Sequence, residues 1–389
     1  MKQSNARLIH VVLAVAIVLS VVNIFFITQR FTAVEKAQVI AKELMRPAAL
    51  QAISLVNSAC SDCYDISGVL TELKGMNVDV TSEKTISFDS AEGKKLLSDY
   101  EITKLPALVV NGEVNKTEQL YSFFASNGNV KDDKSAVYTN IPAPYYDISS
   151  NEVKGRVSVI HLEDSSCVDC KKMDQVDIGL KQSGVSIIKT TSYEYASQDA
   201  QQLITAYGIT TVPAVLISKD VEYYPQIKAM LQQAGAKLKD DYYVLQSQFA
   251  PYRDLKQDKI TGLVTLIMLT DDSCKECFDV KINRNILVRF GLVIKNEETY
   301  DIATQSAKAL IDQYKIKKVP TILVSPEGKE YQSFEAVWNS VGSVESDGWF
   351  VMRNNELLGT YKDLAANKVV NPVPPQEQAA DQGTAQEEA

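Results

Sequence analysis

One interval organises this chain. The first cysteines of three Cys-x-x-Cys pairs, Cys60, Cys167 and Cys274, are 107 residues apart, and their partners Cys63, Cys170 and Cys277 keep that spacing. So do Pro106, Pro213 and Pro320, in ITKLPALVV, ITTVPAVLI and IKKVPTILV. Leu96, Leu203 and Leu310 stay in phase, as do Tyr100, Tyr207 and Tyr314, Gly128, Gly235 and Gly342, and Asp133, Asp240 and Asp347. Markers spread so widely hold one phase only if the same unit is written three times without net insertion. The unit is domain-sized, far longer than the roughly 20–50 residues of a solenoid repeat.

The inventory removes several functions. A net charge of -9 argues against a nucleic-acid binder, which would carry a basic patch. Only two histidines are present, His10 and His161. Histidine-rich metal sites and Cys-His or Ser-His catalysis repeated in each unit are thereby excluded. With 45% hydrophobic and 23% charged residues, the composition is that of a globular protein.

The two ends read differently from the repeats. Leu8 to Thr28, LIHVVLAVAIVLSVVNIFFIT, runs for 21 residues without Asp, Glu, Lys or Arg, enough for a helix to cross the roughly 30 Å hydrocarbon layer. It is longer than a usual signal-peptide core and no A-x-A pattern follows, so an uncleaved anchor is expected, with a cleaved signal as the alternative. Basic residues flank both sides (Lys2 and Arg7; Arg30, Lys36, Lys42 and Arg46), so charge counting does not set the orientation. A short tail before one early span favours export of the remainder. The last stretch, NPVPPQEQAADQGTAQEEA, has almost no bulky apolar residue and cannot offset its ordering entropy. The expected division is an anchor over 1–30, a stalk helix over 31–48, domains over 49–143, 144–250 and 251–366, and a disordered acidic tail over 367–389.

Inside a unit, the apolar period switches in a fixed order. In the second, RVSVIHL suits a buried strand. The CxxC then opens a helical stretch, CKKMDQVDIGLKQSG, and VSIIKTTSYEY reads as the next strand. SQDAQQLITAYGI is helical, with Ser197 as N-cap. Pro213 introduces the strand AVLIS, and PQIKAMLQQAGA supplies a closing helix. Such alternation predicts a mixed sheet with helices on both faces. APYYDI (Ala143 to Ile148) and APYRDL (Ala250 to Leu255) are also 107 apart and read as lead-ins to the second and third domains.

A strand, a CxxC opening a helix, and a proline 46 residues after the first cysteine ahead of an apolar strand: this arrangement resembles the thioredoxin-like superfamily, three times in phase over almost the whole exported part. The resemblance implies an α/β fold of three tandem thioredoxin-like domains after one N-terminal transmembrane helix. It also implies protein thiol–disulfide oxidoreductase activity without a metal or other cofactor. A cysteine at a helix N-terminus meets unpaired N–H groups and the positive end of the dipole, which marks Cys60, Cys167 and Cys274 as nucleophiles. Cys63, Cys170 and Cys277 would then resolve the mixed disulfide. The resemblance makes Pro106, Pro213 and Pro320 cis. It turns the backbone of Leu105, Val212 and Val319 toward the cysteines, where a client segment would add as a strand. The expected partners are client proteins with thiols or disulfides and a membrane electron relay.

The chain departs from the thioredoxin pattern in places. Ala59, Ser166 and Ser273 stand where a Trp is usual, no Gly-Pro lies between the cysteines, and Ser54, His161 and Met268 replace the buried acid six residues before the first cysteine. Asp62, Asp169 and Glu276 precede the second cysteines, and an acid there is expected to raise the thiol pKa. The alternative for these acids is simple complementarity to a helix N-terminus. A zinc site needs four ligands and each unit offers two. A non-catalytic scaffold of thioredoxin-like modules is the rival function, although a disulfide closing so short a loop is a poor staple. Oxidase, isomerase and reductase directions share this constellation.

Overall fold

A five-stranded mixed sheet is built three times in succession. The computed structural model describes residues 34–372 without a break, together with Ser20, Val21, Val22, Ile24, Phe25, Gln29 and Arg30. The span Leu8–Thr28 therefore falls mostly outside the described residues, as do 373–389 of the tail. Among the described residues, no helix is long and apolar enough to cross a membrane. Residues 34–45 are helical, and Arg46 beyond them pairs with Glu113 at 2.7 Å. The chain divides into two compact units, Met1–Arg156 and Val157–Ala389.

The first domain runs β1 (Ala48–Val56), α1 (Ser67–Lys74), β2 (Val78–Ser87), α2 (Ala91–Asp99), β3 (Lys104–Leu105), β4 (Ala107–Gly112), α3 (Glu118–Asn127), β5 (Gly128–Asp132) and β6 (Ser135–Tyr138). Its main sheet is ordered β2-β1-β4-β6-β5, with β1 parallel to β2 and antiparallel to β4. The first four residues of β4 are buried, as a strand covered on both faces requires. The second domain repeats the order with Ile187–Glu194, Val157–Glu163, Ala214–Ser218, Tyr242–Gln246 and Lys237–Lys239. The third does so with Val293–Asp301, Leu263–Thr270, Thr321–Val324, Phe350–Met352 and Gly342–Val344.

Local chemistry sets these elements. Ser90, Ser197 and Thr304 cap equivalent helices, each accepting a backbone N–H three residues on, at 2.9, 3.3 and 3.2 Å. In the third domain, Leu266 and Met268 enter one core with Trp338 and Phe350. Ile267 and Leu269 enter the opposite core with Tyr314 and Val319. The alternation is the period-two signature of a strand buried on both sides.

Each domain carries a second, three-stranded sheet. In the first, β3 pairs with β7 (Tyr145–Asp147), which pairs with β8 (Glu152–Lys154). Thr211–Val212 joins Tyr252–Asp254 and Lys259–Thr261, and Lys318–Val319 joins Tyr361–Asp363 and Lys368–Val370. One turn recurs in all three hairpins. Asp147, Asp254 and Asp363 accept backbone N–H groups at their start, from Ser150 (2.9 Å), Lys256 (2.8 Å) and Ala365 (2.9 Å). Asn151, Asp258 and Asn367 take the left-handed position at φ 56°, 48° and 49°, a conformation that Asn and Asp tolerate best among residues with side chains.

These hairpins move the expected boundaries. APYYDI and APYRDL do not lead into the following domain but pair back onto the preceding one. The joints drawn after 143 and 250 therefore belong after the hairpins, and the first compact unit ends at Arg156. The tail drawn from 367 starts too early, because Asn367 completes a turn and Lys368–Val370 is a paired strand.

Candidate functional site

Three disulfides, Cys60–Cys63, Cys167–Cys170 and Cys274–Cys277, close the three motifs with Cα–Cα separations of 5.4, 5.3 and 5.5 Å. All six predicted catalytic residues are thus brought together in pairs. The residues after the first cysteines, Ser61, Val168 and Lys275, are exposed, while Cys167 is buried.

The motifs do not open helices as expected. Helix starts at Ser67, Gln175 and Ile282, four or five residues beyond the second cysteine. The amides that would begin a helix are spent elsewhere. Tyr64 N–H, four residues after Cys60, donates to the Pro144 carbonyl at 2.8 Å, and Phe278 N–H, four after Cys274, donates to the Thr360 carbonyl at 2.9 Å. Cys60, Cys167 and Cys274 N–H groups turn back onto the carbonyls of Asn57, Asp164 and Asp271 at 3.0, 3.1 and 3.0 Å. Stabilisation of the first thiolate by a helix terminus, which fades within one turn, is therefore not what these loops supply.

The peptides Leu105–Pro106, Val212–Pro213 and Val319–Pro320 are cis, and so are Ala143–Pro144 and Ala250–Pro251, which sequence reading did not single out. Cys63 packs against the core that holds Leu105 and Tyr146. A parallel strand pair, an antiparallel extension of it, and a cis-proline strand tied to a CxxC loop define the architecture. Each domain is thioredoxin-like in fold.

The strand expected to receive a client is already paired. Leu105 lies opposite Tyr146, Val212 opposite Arg253, and Val319 opposite Lys362. Leu105, Pro106, Val212, Pro213, Val319 and Pro320 are all buried. The hairpin that follows each domain occupies its own cis-proline edge.

Two hairpins are held by ion pairs that sequence reading missed. Arg253 Nε lies 2.5 Å from Asp164 Oδ2, and Lys362 Nζ lies 2.6 Å from Asp271 Oδ2. The two carboxylates are only 2% and 3% exposed, three residues before Cys167 and Cys274. Arg253 and Lys362 also reach Ser166 Oγ at 3.1 Å and Ser273 Oγ at 3.3 Å, beside those cysteines. In the first domain the same two positions hold Asn57 and Tyr146, both neutral. Where one partner is an acid the other is a cation, and where one is an amide the other is a phenol. That covariation inside one chain was the available signal.

These pairs give a pH dependence. Burial pushes the Asp164 carboxyl up, but the Ser166 hydroxyl and Arg253 outweigh it and hold it below the ordinary carboxylate range. Asp271 is held low in the same way, against its burial, by Lys362 and Ser273. A folded-state pKa below the unfolded one gives stability that is complete above the unfolded value and lost as pH falls through the folded one. Pepsin cleavage within residues 252–261 and 361–370 is therefore expected to rise more steeply below about pH 4 than cleavage within 145–154. Equal rises in all three hairpins would refute the assignment.

The acids beside the second cysteines are not equivalent. Asp62 pairs with Arg156, which with its other contacts keeps its carboxyl below the ordinary range. Asp169 Oδ2 pairs with Lys295 Nζ at 3.0 Å. Glu276 is exposed and has no ion-pair partner among the described residues. Of the three acids, only Glu276 lacks an ion pair among the described residues.

His161 is buried, with Nε2 2.8 Å from Asp177 Oδ1, and Thr190 donates to the other oxygen of that carboxylate at 3.0 Å. His161, Glu163 and Asp174 place one ligand atom each within 4.8 Å of one another, but none of the six cysteines belongs to that group.

Comparison with known proteins adds little to this geometry. No family model matches the sequence, and no curated protein matches it. Among solved structures, ERdj5 in its form I crystal is 13% identical over 73% of this chain and 37% of its own, with a TM-score of 0.14. This chain thus spans little more than a third of that one. The alkylhydroperoxide reductase component AhpF of Enterococcus faecalis is 14% identical over 44% of this chain and 82% of its own, at a TM-score of 0.15. Human ERp44 is 9% identical over 82% of this chain and 94% of its own, at 0.14. At such scores the fold assignment rests on this chain's own topology, cis-prolines and cysteine loops.

Proposed function

We propose that this chain is a thiol–disulfide oxidoreductase that exchanges disulfides with client proteins through its three CxxC pairs. The observation that carries the reading is the repeated placement of a bonded cysteine pair on a loop tied to a buried cis-proline strand. Cys60, Cys167 and Cys274 act as nucleophiles, and Cys63, Cys170 and Cys277 resolve the mixed disulfide. The apolar run Leu8–Thr28 supports tethering to a membrane, with the domains on the extracytoplasmic side, where disulfides persist. A membrane partner would recharge the pairs.

The occupied cis-proline edges favour a second reading, a scaffold whose disulfides are inert. Insulin reduction by dithiothreitol separates the two. The intact chain should accelerate it, and changing all six cysteines to serine should return the rate to background. Equal rates for the two proteins would establish the scaffold reading instead.

A further inference from the structure

The residue that follows the first hairpin does something at Cys60 that its counterpart at the second site does not repeat. Arg156 ends the first compact unit, directly after β8 and Gly155. Its guanidinium grips Asp62 with two nitrogens, Nε lying 2.8 Å from Oδ2 and Nη2 meeting Oδ1. The same Nη2 is 3.9 Å from Cys60 Sγ. Asp62 Oδ1 is 3.7 Å from that sulfur. The positions 107 and 214 residues on are Leu263 and Val370, so neither later site has an arginine there.

Alone, a carboxylate so close to sulfur disfavours a thiolate. A two-pronged guanidinium fixes the carboxylate in place, cancels its charge and still points an N–H at the sulfur. Four nearby charged groups are engaged elsewhere. Lys104 lies over the Tyr145 ring at 4.6 Å, Lys154 pairs with Glu152, Asp65 accepts from Ser67, and Asp147 accepts from Ser150. The helix whose N-terminus would supply the positive end of a dipole begins only at Ser67. We propose that Arg156 is a positioning residue for Cys60, screening the sulfur from Asp62 and donating an N–H to the thiolate that reduction of Cys60–Cys63 releases. The inference rests on the reading of that pair as reversible.

The test uses the full chain reduced by excess dithiothreitol. The reagent's two thiols give up two electrons and close to a cyclic disulfide, leaving Cys60 and Cys63 as thiols. Alkylation by iodoacetamide is then followed against pH by peptide mass spectrometry, which resolves Cys60 from the other five cysteines. Arg156→Met leaves Asp62 unbalanced and should slow Cys60 alkylation at pH 7 about tenfold, one unit of thiol pKa, with Cys167 and Cys274 unchanged. Arg156→Lys should keep most of the rate. The Asp62→Asn and Arg156→Met double variant should recover most of it. A folded Arg156→Met protein with an unchanged Cys60 profile overturns the inference. Should that variant fail to fold, Asp62→Asn alone decides: faster alkylation supports the proposal, and slower or unchanged alkylation overturns it. A Cys60–Cys63 bond that resists dithiothreitol overturns both this inference and the reversible exchange on which it rests.

Discussion

Replacing Arg253 by Met is expected to destabilise the second domain by about 3–5 kcal/mol, because it leaves a buried carboxylate without its partner. Asp164 is 2% exposed and Arg253 11%, so water cannot take the place of the lost guanidinium. The pair need not add much net stability in itself, since two charges were desolvated to make it. The cost arises from breaking one side only. Combining Asp164→Asn with Arg253→Tyr places at these positions the neutral residues that the first domain has there, Asn57 and Tyr146, and should recover more than half the loss. Urea unfolding followed by hydrogen exchange over residues 157–261 reads the domain by itself, which a chain of several domains requires. An Arg253→Met loss below about 1 kcal/mol would show that the pair is solvated in practice.

Ending the chain after Thr360, with Asp271→Asn to avoid a stranded charge, is expected to open the third site. The change removes residues 361–389, hence both hairpin strands, and keeps the Thr360 carbonyl that accepts from Phe278 N–H. Lys318–Val319 then presents unpaired backbone groups to an extended client. If the hairpin is open no more than a tenth of the time, removing it raises apparent client affinity at least about tenfold. Mixed-disulfide formation at Cys274 with an unfolded single-thiol client measures this, because the client thiolate attacks the Cys274–Cys277 bond. A rate equal to that of the full chain would mean that clients reach the cysteines without using this edge.

Much of the fold can be read from the chain because buried strands and capped helices leave strong local signals. RVSVIHL and AVLIS fall within a residue of the strands Val157–Glu163 and Ala214–Ser218, and Ser197 caps its helix. The helix after the first and third CxxC starts later than its apolar pattern suggests because the Tyr64 and Phe278 amides bond to distant residues, which no local pattern encodes. The hairpins are hidden for another reason. Their strands are three residues long and largely polar, too short to show a period. The third is also displaced, since Tyr361 follows Tyr252 by 109 residues instead of 107. The buried acids Asp164 and Asp271 stand three residues before the cysteine, whereas the thioredoxin pattern directs the search for an acid to the position six before it.

The backward pairing of the hairpins bears on how the repeats can be separated. A protein cut after Ala143 would lose β7 and β8 and leave the Lys104–Leu105 backbone as a bare sheet margin. Such a margin invites other chains to stack along it. A cut after Arg156 keeps the margin covered and retains the guanidinium beside Cys60. The natural module is therefore a fold together with its trailing ribbon. Transplanting one domain without that ribbon would carry over an uncovered sheet margin.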